Sequence, residues 1–196
     1  MIDSSPVPDP SITLASASPR RRELLDQIQV SYEVLPVNID ESNRPGESPQ
    51  QFVERMALEK AQAGYEKAPE RPALGSDTIV VLGQQILGKP ENRQKGIEML
   101  SILSGRKHQV MTAVCIFGSN FRQCVLSTSE VEFTELNLQQ IEEYWETGEP
   151  ADKAGAYGIQ GRAAKFIKNI RGSYSGIMGL PLFETAELLK ASGIEP

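Results

Sequence analysis

Small residues, a proline and three arginines follow one another in Ala15-Ser16-Ala17-Ser18-Pro19-Arg20-Arg21-Arg22. The short apolar run Ile12 to Ala15 in front of them reads as a strand. Pro19 then suits the first position of a helix, where its missing N–H would have had no partner anyway. Free backbone donors at a helix start, with arginines beside them, make a site for an anion and fit a polyphosphate. Taken alone, the segment fits equally well an ordinary strand-to-helix turn with solvated arginines.

Other segments carry groups that could act on such a ligand. In Gly75-Ser76-Asp77-Thr78-Ile79-Val80-Val81 an aspartate opens a β-branched run, which predicts an acid at a strand end. There it could hold a divalent cation or take a proton from water, the alternative being a turn-capping Asp. Lys89 lies between Gly88 and Pro90, and Lys60 lies in Glu59-Lys60-Ala61. Each lysine alone reads as a surface charge, but two lysines and two arginines together supply the charge a triphosphate needs. The glycines of Asp152-Lys153-Ala154-Gly155-Ala156-Tyr157-Gly158-Ile159-Gln160-Gly161 allow close backbone approach to a flat base or sugar. Gln160 has one acceptor and two donors for the edge of a nucleobase.

Several chemistries find no support. The single histidine, His108, falls in a strand and reads as structural, so no serine has a visible catalytic partner. Cys115 and Cys124 match no metal spacing, lie near neither a helix start nor a basic cluster, and read as a buried, reduced pair. There is no Walker-type or GxGxxG loop. The formal net charge of −6 argues against a general nucleic-acid binder, RNA included. The charge is uneven, however. Glu130 to Glu149 holds seven acids and no Lys or Arg, and Lys153, Arg162, Lys165, Lys168 and Arg171 follow against one acid, Asp152. Such a local positive region suits a small anion.

These groups need a scaffold, and the chain alternates strands and helices. Helices are expected at Arg20–Gln29, at Ser48-Pro49 to about Lys67, at Asn92–Leu103, Leu138–Trp145 and Leu182–Ala191. Strands are expected at Ile12–Ala15, Tyr32–Val37, Ala73–Leu82, Ile86-Leu87, His108–Phe117 and Val125–Phe133. The glycine-rich stretch 155–179 reads as loop. The expected fold is α/β, a mixed central β-sheet flanked by helices in a single domain over residues 12–196. Residues 1–11, polar and holding Pro6, Pro8 and Pro10, read as a flexible tail rather than a signal peptide. No apolar run of about 18 residues predicts a membrane span, and a cytoplasmic setting is expected.

Eight motifs in order, LASASPRRRELL, NIDES, LEKA, GSDTIV, LGKP, LSGRKHQVMTAV, EPADKAGAYGIQG and GLPLFET, resemble the Maf family of nucleoside triphosphate pyrophosphatases from residue 12 to about 190. The resemblance implies a fold similar to the inosine triphosphatase group. It implies cleavage of a nucleoside triphosphate to the monophosphate and pyrophosphate with a divalent metal, Mg²⁺ or Mn²⁺, and a homodimer. By motif, Asp77 is implied as the proton acceptor. Ser16, Arg21, Lys60 and Lys89 are implied as phosphate ligands, and Glu41, with Asp77, as a metal-binding or further catalytic acid. Arg20, Thr78 and Gln160 occupy the positions that set base choice. They match the branch acting on dTTP and UTP, whereas the branch acting on 7-methyl-GTP carries Trp, Gln and Glu there. A nucleotide-sensing regulator of septum formation is the alternative role that the resemblance leaves open.

Overall fold

The computed structural model describes residues 11–196, so the tail expected for residues 1–11 lies outside the described residues except for Ser11. Ser11 is tied down, its amide bonding to the Ser31 carbonyl at 3.0 Å. Seven strands form one mixed sheet: β1 (Ile12–Leu14), β2 (Tyr32–Val34), β3 (Ala73–Leu82), β4 (Gln85–Leu87), β5 (Lys107–Phe117), β6 (Arg122–Phe133) and β7 (Ile167–Arg171). Their order is β2-β1-β3-β5-β6-β7, with β4 paired to β3. The first two pairings, β1 with β2 and β1 with β3, are parallel, and the rest are antiparallel.

Helix α2 (Pro49–Lys67) covers one face of this sheet. The Ser48 side chain and Gln51 form a reciprocal cap at its start, with Pro49 in the first turn. Two glycines let it lie close. A Cβ on Gly75 of β3 would come within 2.3 Å of the Ala57 carbonyl and Ala61 amide, and one on Gly64 within 2.8 Å of the Ala15 Cβ. Phe52, Val53, Met56, Ala57 and Ala61 thus pack on Ile79, Val81, Ala113 and Cys115 as a separate small core. On the opposite face lie α1 (Pro19–Gln27), α3 (Arg93–Leu103), α4 (Leu138–Trp145), α5 (Tyr174–Met178) and α6 (Leu182–Ala191), around the larger core centred on Leu14, Leu24, Leu74, Leu100 and Phe133.

The strand β3 changes partners along its length. Ala73 and Leu74 pair with β1, Val80 to Leu82 pair with β4, and between them that edge has no strand beside it. Asp77 therefore sits in the middle of a ten-residue strand, not at a strand end as the sequence suggested. The opening that a strand end would have supplied is supplied by the gap between β1 and β4.

Three other expectations need correction. Cys115 and Cys124 are not a reduced pair: they stand directly opposite in the β5–β6 register, their Cα atoms 4.1 Å apart, and form a disulfide. Cys115 is buried and Cys124 exposed, so the cysteines no longer argue for a reducing compartment. The stretch read as loop contains β7 and α5. The strand β7 is an edge whose half-buried residues Ile167 and Ile170 stand three apart, across an irregularity in its pairing with β6, so it shows no period-two alternation. The expected strand Tyr32–Val37 ends at Val34, just before Pro36, which has no N–H for a ladder.

Candidate active site

The alternation of β3 sends Asp77 and Thr78 to opposite faces of the sheet. Asp77 shares the α2 face with Gly75, and the close approach at Gly75 brings Lys60, next to Ala61, onto the aspartate. The Lys60 Nζ lies 2.7 Å from Asp77 Oδ1 and 2.7 Å from Glu41 Oε1. The Lys60 hydrogen bond, opposed by partial burial, holds the Glu41 carboxyl below its ordinary range, and the charges of Lys89 and Arg21 act in the same direction. Glu41 comes from an exposed loop that is clamped to α2. Arg55 donates to both Glu47 oxygens, at 2.6 and 2.7 Å, and to the Ser42 carbonyl at 2.9 Å. A second cation, Arg44, bonds Glu59 at 2.9 Å.

Thr78 faces the other side, in the row Thr78–Thr112–Ser127 that crosses β3, β5 and β6. The Thr112 hydroxyl lies 2.9 Å from Thr78 Oγ1 and 2.7 Å from the Gly176 carbonyl. Arg21 reaches this row from α1. Its Nε donates to the Gly179 carbonyl at 3.0 Å, one terminal nitrogen donates to Ser16 Oγ at 3.0 Å, and the other approaches Thr78 Oγ1 at 3.5 Å. Burial lowers the Arg21 pKa, and the charge of Asp77 opposes that shift. Ser76 adds a bond to the same Gly179 carbonyl at 3.0 Å. Gly179 has a positive φ of 120° and closes this turn against Arg21 and Thr78.

The remaining expected groups are displayed rather than bonded. Arg20 is half-buried and Lys89 exposed, and neither makes a hydrogen bond or ion pair to the described residues. Gln160 is exposed and likewise unbonded, at the tip of a segment whose residues 155–159 are all buried. The Gly155 amide donates to the Gly88 carbonyl at 3.0 Å, joining the Gln160 segment to the loop that carries Lys89. Gly155 holds φ at +66°, and a Cβ there would meet the Val80 side chain at 2.9 Å. Arg22 belongs elsewhere, its charge acting on Tyr32.

A match to the family model described as Maf-like protein spans residues 11–192. The chain belongs to the Maf family. Among its relatives, a protein of Alkalilimnicola ehrlichii named dTTP/UTP pyrophosphatase is 54% identical over 186 residues, covering 92% of each chain. One of Pseudoalteromonas atlantica with the same name is 52% identical over 182 residues, covering 91% of this chain and 95% of its own. Among solved structures, a HAM1 protein from Coxiella burnetii superposes with a TM-score of 0.54 at 15% identity, covering 92% of this chain and 98% of that one. That likeness concerns the fold alone.

A divalent cation fits the groups in this Maf chain only with help from a substrate. Glu41 and Asp77 offer two hard carboxylates on one nitrogen, and no cluster of three or more His, Cys, Asp or Glu stands together among the described residues. Magnesium is commonly held by one or two carboxylates with phosphate oxygens and water completing its shell. This donor set matches that pattern.

Residue types alone did not single out Ser76 and Thr112, which bond the Gly179 and Gly176 carbonyls, or Tyr144 and Glu149, which bond each other and the amides of Gly158 and Arg162. Their signal lies in pairing: each polar side chain is spent on a backbone group or on another site residue.

Proposed function

We propose that this chain hydrolyses dTTP and UTP to the monophosphate and pyrophosphate, with residues 12–196 acting as one unit in a cytoplasmic nucleotide pool. The observation that carries the reading is Lys60 bridging Glu41 and Asp77 beside Arg21 and Lys89: acids for a proton and a metal, cations for phosphates. The dTTP/UTP names of relatives about half identical over nine-tenths of the chain support the substrate class, and they do not favour the regulator alternative.

In this reading a water oxygen forms a bond to the α-phosphorus while the bond from that phosphorus to the αβ-bridging oxygen breaks. The proton passes to Asp77, and pyrophosphate leaves with the bridging oxygen. Lys60 fixes the orientation of both carboxylates with two of its three donors and keeps the third for phosphate. Arg21, already desolvated and held by Ser16 and Gly179, presents a preset charge to the leaving group. Lys89, with no hydrogen bond or ion pair to the described residues, closes on the phosphates. Glu41 and Asp77 would hold the divalent cation, Mg²⁺ or Mn²⁺, which when bound neutralises phosphate charge. Arg20, Thr78 and Gln160 select the base, with the Gln160 amide able to meet both the carbonyl and the N–H of a thymine or uracil edge.

Pyrophosphate release from a triphosphate panel with Mg²⁺ tests the activity, and Asp77→Asn tests its centre. General-base assistance is worth about 10²–10⁴-fold. The variant should lose turnover on that scale while dTTP binding persists by calorimetry. Wild-type turnover in Asp77→Asn would remove the assignment.

A further inference from the structure

Gln160 projects from a turn that is pinned on both sides by one device, the buried Tyr144 and the half-buried Glu149. Two residues before it, the Gly158 amide donates to the Tyr144 hydroxyl oxygen at 3.1 Å. Two residues after it, the Arg162 amide donates to Glu149 Oε2 at 2.8 Å, with the Ala163 amide at 3.5 Å from Oε1. The two anchors are one unit, because the Tyr144 hydroxyl donates to Glu149 Oε1 at 2.6 Å. Arg162–Phe166 is a 3₁₀ turn whose flanking residue, Gly161, has no side chain with which to cap it, and the Glu149 carboxylate caps it from outside.

The glycines on either side of Gln160 answer to the same carboxylate. A Cβ on Gly161 would lie 2.2 Å from Glu149 Oε2, and one on Gly158 would lie 3.2 Å from Oε1 and 2.9 Å from the Lys153 side chain. Tyr144 is 3% exposed, and its ring stands edge-on to Phe166 at 5.3 Å, so the hydroxyl has little freedom. Burial works to raise the Glu149 carboxyl, yet the Tyr144 hydroxyl and the two amides keep it below its ordinary range, so it stays an ionised acceptor. The Lys153 ammonium, bonded to the Glu149 carbonyl at 2.8 Å, braces the same turn.

We infer that Tyr144 and Glu149 are positioning residues for base choice: they fix the Gln160 turn and so set pyrimidine preference without touching the substrate. The inference rests on the reading of Gln160 as a base-selecting residue. A preset amide discriminates because a wrong base leaves its donors and acceptor unpaired, whereas a loose one can turn away. Asp77 is bonded to Lys60 and not to this device.

The test compares kcat/KM for dTTP with that for GTP in wild type, Glu149→Gln, Tyr144→Phe, Gln160→Ala and the double variant Glu149→Gln/Gln160→Ala. The amide in Glu149→Gln keeps the shape but loses one acceptor. Each positioning variant should raise KM for dTTP about 10-fold, more than it lowers kcat, and the dTTP:GTP ratio should fall about as far as in Gln160→Ala. The double variant should fall no further than Gln160→Ala, since both act through one group. Tyr144→Phe preserves volume and keeps the comparison open should Glu149→Gln fold poorly. A ratio that stays at the wild-type value in Glu149→Gln and Tyr144→Phe, while Gln160→Ala loses it, overturns the positioning role and leaves Gln160 its own. A wild-type ratio in Gln160→Ala overturns the reading of Gln160 and the device with it.

Discussion

Two loops bring one polar group each to this site, Glu41 and Gln160, and they are held by different forces. The loop with Glu41 lies in water, residues 40–46 all exposed, and is fastened to α2 by ion pairs. The loop with Gln160 is sunk in the protein, residues 155–159 all buried, and is fastened by backbone amides, glycine contacts and an aromatic cluster. A loop held by charge at its surface can give way when a polyanion and a cation arrive, whereas a loop held by packing cannot. On the proposed reading of the site, the contrast sets adaptability at the phosphates, where charge must rearrange, and rigidity at the base, where shape is judged.

Acid should break the contrast most strongly. The buried loop leans on His108, whose Nε2 lies 2.8 Å from the Tyr157 hydroxyl and whose ring stands edge-on to Phe133 and Tyr157. Its Nδ1 is buried with no partner among the described residues, and burial pushes its pKa from 6.5 down to about 4. Folded His108 thus stays neutral down to about pH 4, while in the unfolded chain it binds a proton below about 6.5. The unfolded state binds more protons between those values, so stability falls as pH falls through them. The loss approaches about 3 kcal/mol at the acid end. Denaturant melts across pH 7 to 4 should show a steeper slope in wild type than in His108→Gln, and the difference isolates the histidine because the carboxylates contribute to both. The exposed loop is expected to outlast it, because the Arg55 hydrogen bond holds Glu47 at about 2.

The same contrast explains what could be read from residues alone. The strand Ala73–Leu82, the cap of α2 at Ser48-Pro49 and the limits of Leu138–Trp145 and Leu182–Ala191 all follow from local rules, and the structure has them at those residues. Local rules also pointed to Asp77 and Lys60 as groups to watch, and the family resemblance to Glu41, but neither pointed to their meeting at one nitrogen. That meeting depends on the helix lying against Gly75, a contact between segments far apart in the chain. The Cys115–Cys124 bond was missed for a related reason. Nine residues of separation reveals nothing until the hairpin register is known, and β6 begins three residues earlier than its apolar run suggested. Glu149 lay hidden in a run of acids, where charge density masks a half-buried carboxylate that caps a turn.

The charged side of the contrast can be broken at Arg55. Its side chain is 12% exposed and that of Glu47 9%, and the two-pronged geometry fixes both partners. Arg55→Ala removes the clamp on Glu47 and on the Ser42 carbonyl, one residue from Glu41. Turnover of dTTP should fall about 10- to 100-fold as the loop that carries Glu41 loses its two-pronged anchor, while the dTTP:GTP ratio stays at its wild-type value. A variant that instead relaxed base choice would show that the two loops are not independent.

The smallest effect is expected at Arg44, and it sharpens what counts as a clamp. Arg44 reaches Glu59 at 2.9 Å, about as short as the contacts of Arg55, yet its side chain is 64% exposed. An exposed pair is screened by water and salt and holds two flexible chains at an entropic cost, so it contributes about 0–1 kcal/mol. Arg44→Ala should therefore change dTTP turnover less than about two-fold, and 0.5 M salt should affect wild type and variant alike. Distance is nearly the same in the two pairs while burial and geometry differ. Equal losses in Arg44→Ala and Arg55→Ala would mean that net positive charge near Glu41, rather than a fixed loop, is what the acid needs.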